Sequence, residues 1–387
     1  MISDSFSLLR GGPVYRLLHW LGALRAGVPT APLVLGVLVL VSFVPLMVFA
    51  GMDGMLWPSA DRIALLGDHA VIARLLVAVP ILVLGARPCD EVLHSAVRYI
   101  GRSGLIEKSS REAFDRLVHH GHALRDSYAP EAICALIAVL SAFSTDARFS
   151  HVPGFTHWAT EGGALTKAGE WFAIVSAPAF RFVALVWVWR FALWSYWLWR
   201  FSRLRLALFA AHPDGAGGLG FFGPGQAWFA ILTLAGSTIL CGNALVQMEY
   251  AHVPLQSFQW ELLGCVAGSV AVVFAPLLFL MKPLVRARRH GMHALGVLGQ
   301  AASRAFAAHW DQADVARSGE SLLESPNPSA IADFTAMYGT ARTMAVIPVN
   351  KLSLLSVALA SALPIVPLVL HAVSIDELLR RLLGALA

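Results

Sequence analysis

The chain has 387 residues, of which 57% are hydrophobic and 14% charged, with a mean hydropathy of +0.66 and a formal net charge of +5. An ordinary soluble domain carries about 25% charged residues, and a water-soluble core of this size cannot hide so much apolar surface. The composition excludes a disordered chain, a collagen and a basic nucleic-acid-binding domain, and leaves an all-α, polytopic helical membrane protein whose first partner is the lipid bilayer.

Residues 1–30 contain Arg10, Arg16 and Arg25 but no clean apolar stretch before a small-residue cleavage site, so no signal peptide is read there. The mix of Leu, Trp and Tyr with Arg10, Arg16 and His19 predicts an amphipathic segment lying at the bilayer surface. A transmembrane domain follows over 31–373, with seven predicted spans: Ala31–Gly51, Ile63–Ala86, Ala129–Ser144, Trp171–Trp199, Gln226–Met248, Phe258–Met281 and Leu352–Val373. The second is interrupted by Asp68, His69 and Arg74, and the third is short.

Two insertions, at 87–128 and 282–350, predict a small cytoplasmic helical layer. In the first, Ser109 with Glu112 has the capping-box spacing and opens a helix over about 110–126. In the second, Leu295, Leu298, Phe306 and Trp310 recur at helical spacing, so the sixth span is expected to continue as a long helix to about Gln312. A loop at 311–329 and a helix at 331–344 follow. The tail at 374–387 places Leu378, Leu379, Leu382 and Leu383 on one face and reads as amphipathic.

Orientation follows the excess of Lys and Arg on the cytoplasmic side. With the N-terminus inside and the C-terminus outside, 21 of the 29 basic residues fall on inner segments, 5 on outer ones and 3 within spans. The expected location is a bacterial inner membrane, with the N-terminus cytoplasmic and the C-terminus periplasmic.

The three basic residues within spans are Arg74, Arg181 and Arg190, and the acidic residues there, Asp68, Glu131 and Glu261, sit near span ends. An ionised side chain at the bilayer centre costs about 2.5–3.5 kcal/mol on insertion scales, so each needs a partner or a function. Arg181 and Arg190 are nine residues apart and face opposite sides of one helix. Arg74 and Arg181 are therefore candidates to meet a permeating anion, and Asn243 with Gln247, at i and i+4, to line a polar path. Snorkelling or a structural ion pair is the competing reading, above all for Arg190. The tryptophans at 187, 189, 194, 197 and 199 predict an interfacial belt packed around Arg190.

The stretch His212–Gly225, HPDGAGGLGFFGPG, joins the fourth and fifth spans. Gly215, Gly217 and Gly220 match the letters of a dinucleotide fingerprint, but the strand–turn–helix context is missing and no P-loop lysine follows. Glycines here permit positive φ and close backbone approach. Two readings stand: His212, Asp214, Gly215, Gly217, Gly218 and Gly220 form a gating element or an amide nest for an anion, or the loop is a tight turn locking two helices together. The four cysteines form no CxxC pair, which argues against a disulfide framework or a thiolate zinc site. His119, His120 and His122, and His290 with His293, lack a defined carboxylate or cysteine partner for a metal. No cofactor and no complete catalytic set is expected.

The HPDGAGGLGF loop after an Arg-rich span, together with an ending that runs from Ile347–Pro348 through an apolar run to Asp376-Glu377-Leu378-Leu379, resembles a group of uncharacterised bacterial inner-membrane proteins. The resemblance covers most of the chain and implies no particular activity. In layout alone, seven spans with the N-terminus inside and short outer loops, the chain is similar to insect chemoreceptor channels. The functional expectation is a self-associating channel or pore, homo-oligomeric and anion-permeable, acting on a small ion or solute. A secondary transporter of a small solute and a non-transporting sensor or scaffold are the alternatives, and no role in nucleic-acid binding or as an enzyme is expected.

Overall fold

Inside a bilayer only structures that satisfy every backbone polar group internally are tolerated, so long apolar runs fold as helices. A computed structural model describes residue 7 and residues 30–59, 62–143, 155–311 and 326–372. Ser7 and Thr30 apart, the amphipathic segment expected at 1–30 lies outside the described residues, as do the tail at 374–387 and most of the loop expected at 311–329.

Helices α1 (Thr30–Ser42) and α2 (Val44–Met52) form the first apolar rod. The second begins with α3 (His69–Ile72), passes through a π-helical turn at Ala73–Ala78 and continues as α4 (Val79–Arg102). Helix α5 (Arg111–Asp126) leads into α6 (Tyr128–Leu140). The fourth rod repeats the pattern of the second, with α7 (Lys167–Trp171), a π-helical turn at Phe172–Ser176 and α8 (Ala177–Phe201). Next come α9 (Phe222–Ala227) and α10 (Ala230–Tyr250). Helix α11 (Gln259–Phe274) runs through a 3-10 stretch at Ala275–Leu280 into α12 (Met281–Asp311), so the sixth apolar segment does extend into a long helix. Helices α13 (Pro326–Thr343), α14 (Lys351–Ala362) and α15 (Ile365–Ala372) close the described chain.

Among the described residues, six helical rods are long and apolar enough to cross a membrane, and α14 with α15, bent by 48° at their junction, make a seventh if the pair is one span. The most apolar stretch of each of the six buries only 17% to 44% of its residues. Leu40, Val48, Leu136, Leu263 and Leu359 are more than half exposed. Such a surface is a liability in water and is at home in lipid.

The interior is aromatic. Trp194 and Trp197 stack with ring centroids 5.3 Å apart, and Trp197 stacks on Phe201 at the same distance. Trp194 Nε1 donates to Gln226 Oε1 at 2.8 Å, and Gln226 Nε2 donates to the Val273 carbonyl at 2.6 Å, so one amide ties α8 to α9 and α11. Trp187 Nε1 donates to the Leu82 carbonyl at 3.0 Å. Trp187, Trp194 and Trp197, three of the five tryptophans expected in an interfacial belt, are thus core residues: the indole N–H groups of Trp187 and Trp194 find acceptors inside the bundle, and Trp197 is held between stacked rings.

Around this core α6 packs on α8, α3 and its π-turn on α10, α14 on α10 and α11, and α13 on α12. At Gly242 a Cβ would lie 2.6 Å from Ala73 Cβ and 2.8 Å from the His69 carbonyl oxygen, so α3 and α10 meet where a side chain is missing.

One local expectation is corrected, and one small element is additional. The Ser109–Glu112 capping box does not form: Ser110 is the N-cap of α5 without a side-chain bond to the helix, and its Oγ accepts from the Arg205 amide at 3.1 Å instead. One end of the bundle also carries a small sheet in the order β1 (Arg62–Ile63), β2 (Thr156–His157), β3 (Thr160–Glu161), β4 (Ala164–Leu165). Strands β1 and β2 run parallel, with Arg62 opposite Thr156 and Ile63 opposite His157, and the other pairs are antiparallel.

Candidate functional site

The sheet end of the bundle gathers polar groups that would be costly in lipid. Pairing of β1 with β2 brings His157 and Trp158 against the start of α3, where Asp68 is 1% exposed. Asp68 caps α3: its Oδ1 accepts from the amides of Ala70 at 3.1 Å and Val71 at 3.2 Å. Its Oδ2 accepts from Trp158 Nε1 at 3.0 Å and faces His157 Nε2 at 3.5 Å. His157 Nδ1 accepts the Ala159 amide at 3.2 Å, which leaves the ring proton on Nε2, toward the carboxylate. A buried carboxylate in such a setting is tolerated because its acceptor positions are filled.

Arg74 lies one and a half turns further along, inside the π-helical turn. Single-turn π elements recur at functional sites because they re-aim side chains from an otherwise regular helix. Its Nη2 donates to Asn243 Oδ1 at 3.0 Å across the α3–α10 contact, and His69 Nε2 lies 2.6 Å from Glu249 Oε2 across the same contact. Asp68 and Arg181 are both close enough to Arg74 to act on it electrostatically. Arg181, just beyond the second π-helical turn, donates from Nη1 to the Ser141 carbonyl at 3.1 Å and to Ser141 Oγ at 2.8 Å.

The sequence-predicted set therefore divides. Arg74, Arg181 and Asn243 converge at the sheet end, while Gln247 is exposed on α10 and makes no side-chain hydrogen bond among the described residues. Arg190 is remote from them, in a separate neighbourhood with Glu131, Asp90 and Arg125. Asp68, His157 and Glu249 were not singled out from sequence as site residues. The available signal was the charged interruption Asp68-His69 at the head of an apolar run, which is the mark of a capped helix start.

The glycine-rich loop lies at the opposite, basic end. Gly215, Gly217 and Gly218 have φ of 64°, 66° and 96°. That backbone turns the amides of Ala216, Gly218 and Gly220 onto Asp214, at 2.8, 3.1 and 2.8 Å from its carboxylate oxygens, with His212 Nδ1 2.8 Å from Oδ1. Burial alone raises the pKa of Asp214, but the Ala216, Gly220 and Gly218 amides and the His212 ring outweigh it and hold the carboxyl below the ordinary value. The nest is thus filled by the loop's own carboxylate. The Ala345 amide donates to the Gly215 carbonyl at 2.7 Å, and a Cβ at Gly217 or Gly218 would lie 2.6 Å from Met344 or Leu105. The loop is wedged between two other segments, the geometry of a lock more than of a gate.

Fold and site together fit the class of multi-pass helical membrane proteins with a polar cluster at one end of the bundle. No family model, curated protein or solved structure matches the chain.

Proposed function

We propose that this protein passes small anions across a membrane and that Arg74 is the charge that selects them. The observation that supports this reading is the mismatch between Arg74 and its surroundings. A guanidinium has five N–H donors, and among the described residues Arg74 uses one, on the neutral Asn243. The carboxylate that acts on it, Asp68, has its oxygens engaged by two amides, Trp158 and His157. A cation in an apolar helix contact with donors to spare is suited to a mobile anion, with Arg181 adding positive potential nearby. The chain in this reading sits in a bacterial inner membrane, N-terminus inside and C-terminus outside, and works as a homo-oligomeric channel. The test is flux and planar-bilayer recording of the purified full-length protein. Unitary chloride currents that fall about tenfold in Arg74→Gln support it, and monomers with neither flux nor current overturn it.

One specific observation favours a second reading, a secondary transporter. Two spans carry π-helical turns beside the arginines, and a third helix pair is bent by 48°. Interrupted helices are where transporters hold substrate and move. Saturable flux without unitary currents selects this reading over the channel.

A further inference from the structure

We propose that the basic end of the bundle holds the phosphate of an anionic phospholipid headgroup, in a groove between the end of α8 and the start of α12. The groove has a volume of about 880 Å³ and is bounded by Trp199, Arg203, Arg205, Lys282, Arg286 and His290. Three separately fixed pieces of backbone present these groups. Lys282, Arg286 and His290 fall at i, i+4 and i+8 of α12 and so share one face. Arg203 follows α8 and lies over Trp199, with its guanidinium carbon 3.9 Å from the ring centroid. Arg205 sits on an extended connection clamped by backbone bonds, Glu107 N to the Arg205 carbonyl at 3.2 Å and Ala207 N to the Leu105 carbonyl at 2.8 Å.

Charge in the groove is out of balance. Glu107 is the acidic group on its wall, and its Oε2 already accepts from Ser109 Oγ at 3.3 Å. Among the described residues none of Arg203, Arg205, Lys282 and Arg286 forms an ion pair. Four cations on one open surface repel one another unless an anion joins them.

The lip of the groove identifies the anion's source. Leu278 and Phe279, in the 3-10 stretch that ends the sixth apolar segment, are exposed immediately before the basic face begins. Apolar side chains thus adjoin the cations where the helix leaves the hydrocarbon. A ligand with a phosphate at one end and acyl chains at the other matches both surfaces, and a free phosphate matches one of them. Basic pockets at this depth between transmembrane helices recognise anionic headgroups by this combination. The inference does not depend on whether the protein conducts ions.

The test is native mass spectrometry of the full-length protein in detergent, challenged with dioleoylphosphatidylglycerol or dioleoylphosphatidylcholine at equal concentration. The wild type is expected to retain phosphatidylglycerol with about tenfold preference. Lys282→Gln with Arg286→Gln should abolish the preference, and Arg203→Gln with Arg205→Gln should do so independently. All four side chains are exposed, and an unchanged far-ultraviolet spectrum and elution volume confirm folding. Arg304→Gln, which removes an exposed charge further along α12, should leave the preference intact. Equal retention of both lipids by the wild type overturns the proposal, as does an equal loss in Arg304→Gln. Displacement of the lipid by millimolar inorganic phosphate would show that the site takes free phosphate, and overturns it as well.

Discussion

Asp214 and Arg74 are both charges set at helix junctions, yet they are held in opposite ways. The Asp214 carboxylate meets three backbone amides and the His212 ring within the nine residues from His212 to Gly220, whereas among the described residues the Arg74 guanidinium has a single neutral acceptor, on another helix. A charge satisfied by its own loop organises structure and has little left to offer a ligand. A charge with spare donors between helices contributes little to folding and much to recognition. Asp68 belongs with Asp214 in this contrast: it is deeply buried, but its acceptors are filled.

The contrast is open to test by substitution. Asp68→Ala removes the cap of α3 and strands Trp158 and His157, and should lower stability by about 3–5 kcal/mol, seen as loss of the folded species in thermal unfolding in detergent. Asp214→Ala should cost about 1–3 kcal/mol by leaving three amides without their acceptor, and hydrogen exchange should rise at Ala216, Gly218 and Gly220. Gly217→Ala places a side chain at positive φ against Met344 and should cost about 1–2 kcal/mol. Arg74→Gln should change stability by less than about 1 kcal/mol, and under the proposed function it should reduce anion flux. A large loss of stability there would erase the distinction between the two charges.

The pH dependence of the loop follows from the depressed pKa of Asp214. A carboxyl held below its unfolded value stabilises the fold above that value and loses this contribution as pH falls through the folded one. The loop should therefore loosen only in acid below the usual carboxylate range, and amide exchange at Gly218 followed from pH 7 downward measures it. In Asp214→Asn the acid step should vanish.

The rods were legible in the sequence because each is a long apolar run, the extension of the sixth segment was legible from its periodicity, and the helix over Arg111–Asp126 was read from a capping spacing that does not form. The small sheet was not, since two-residue strands are too short to show alternation and depend on a partner more than ninety residues away. The capping box failed because the helix starts one residue late for it: Ser109 lies in a 3-10 turn with its Oγ on Glu107, and the Oγ of Ser110, the actual N-cap, serves the distant Arg205 amide. Within the site, Arg74 and Arg181 stood out as charges in apolar runs. Asp68 with His157 could not be paired, because their meeting depends on the β1–β2 register. The π-turns, one of which carries Arg74, leave no mark in residue spacing that distinguishes them from ordinary helix.

The rod from Leu255 to Ala308 has 54 residues. At about 1.5 Å per residue it reaches about 80 Å, against about 30 Å of hydrocarbon. Set in a membrane, more than half of it stands clear of the lipid, and α13 packs on α12 at Gly299, where a Cβ would collide with Phe334. In that setting such a rod would act as a lever with its fulcrum in the hydrocarbon. A tilt of about 5° at the fulcrum swings the distant tip by about 4 Å, a displacement that spin labels on α12 and α11 could read as a change in distance.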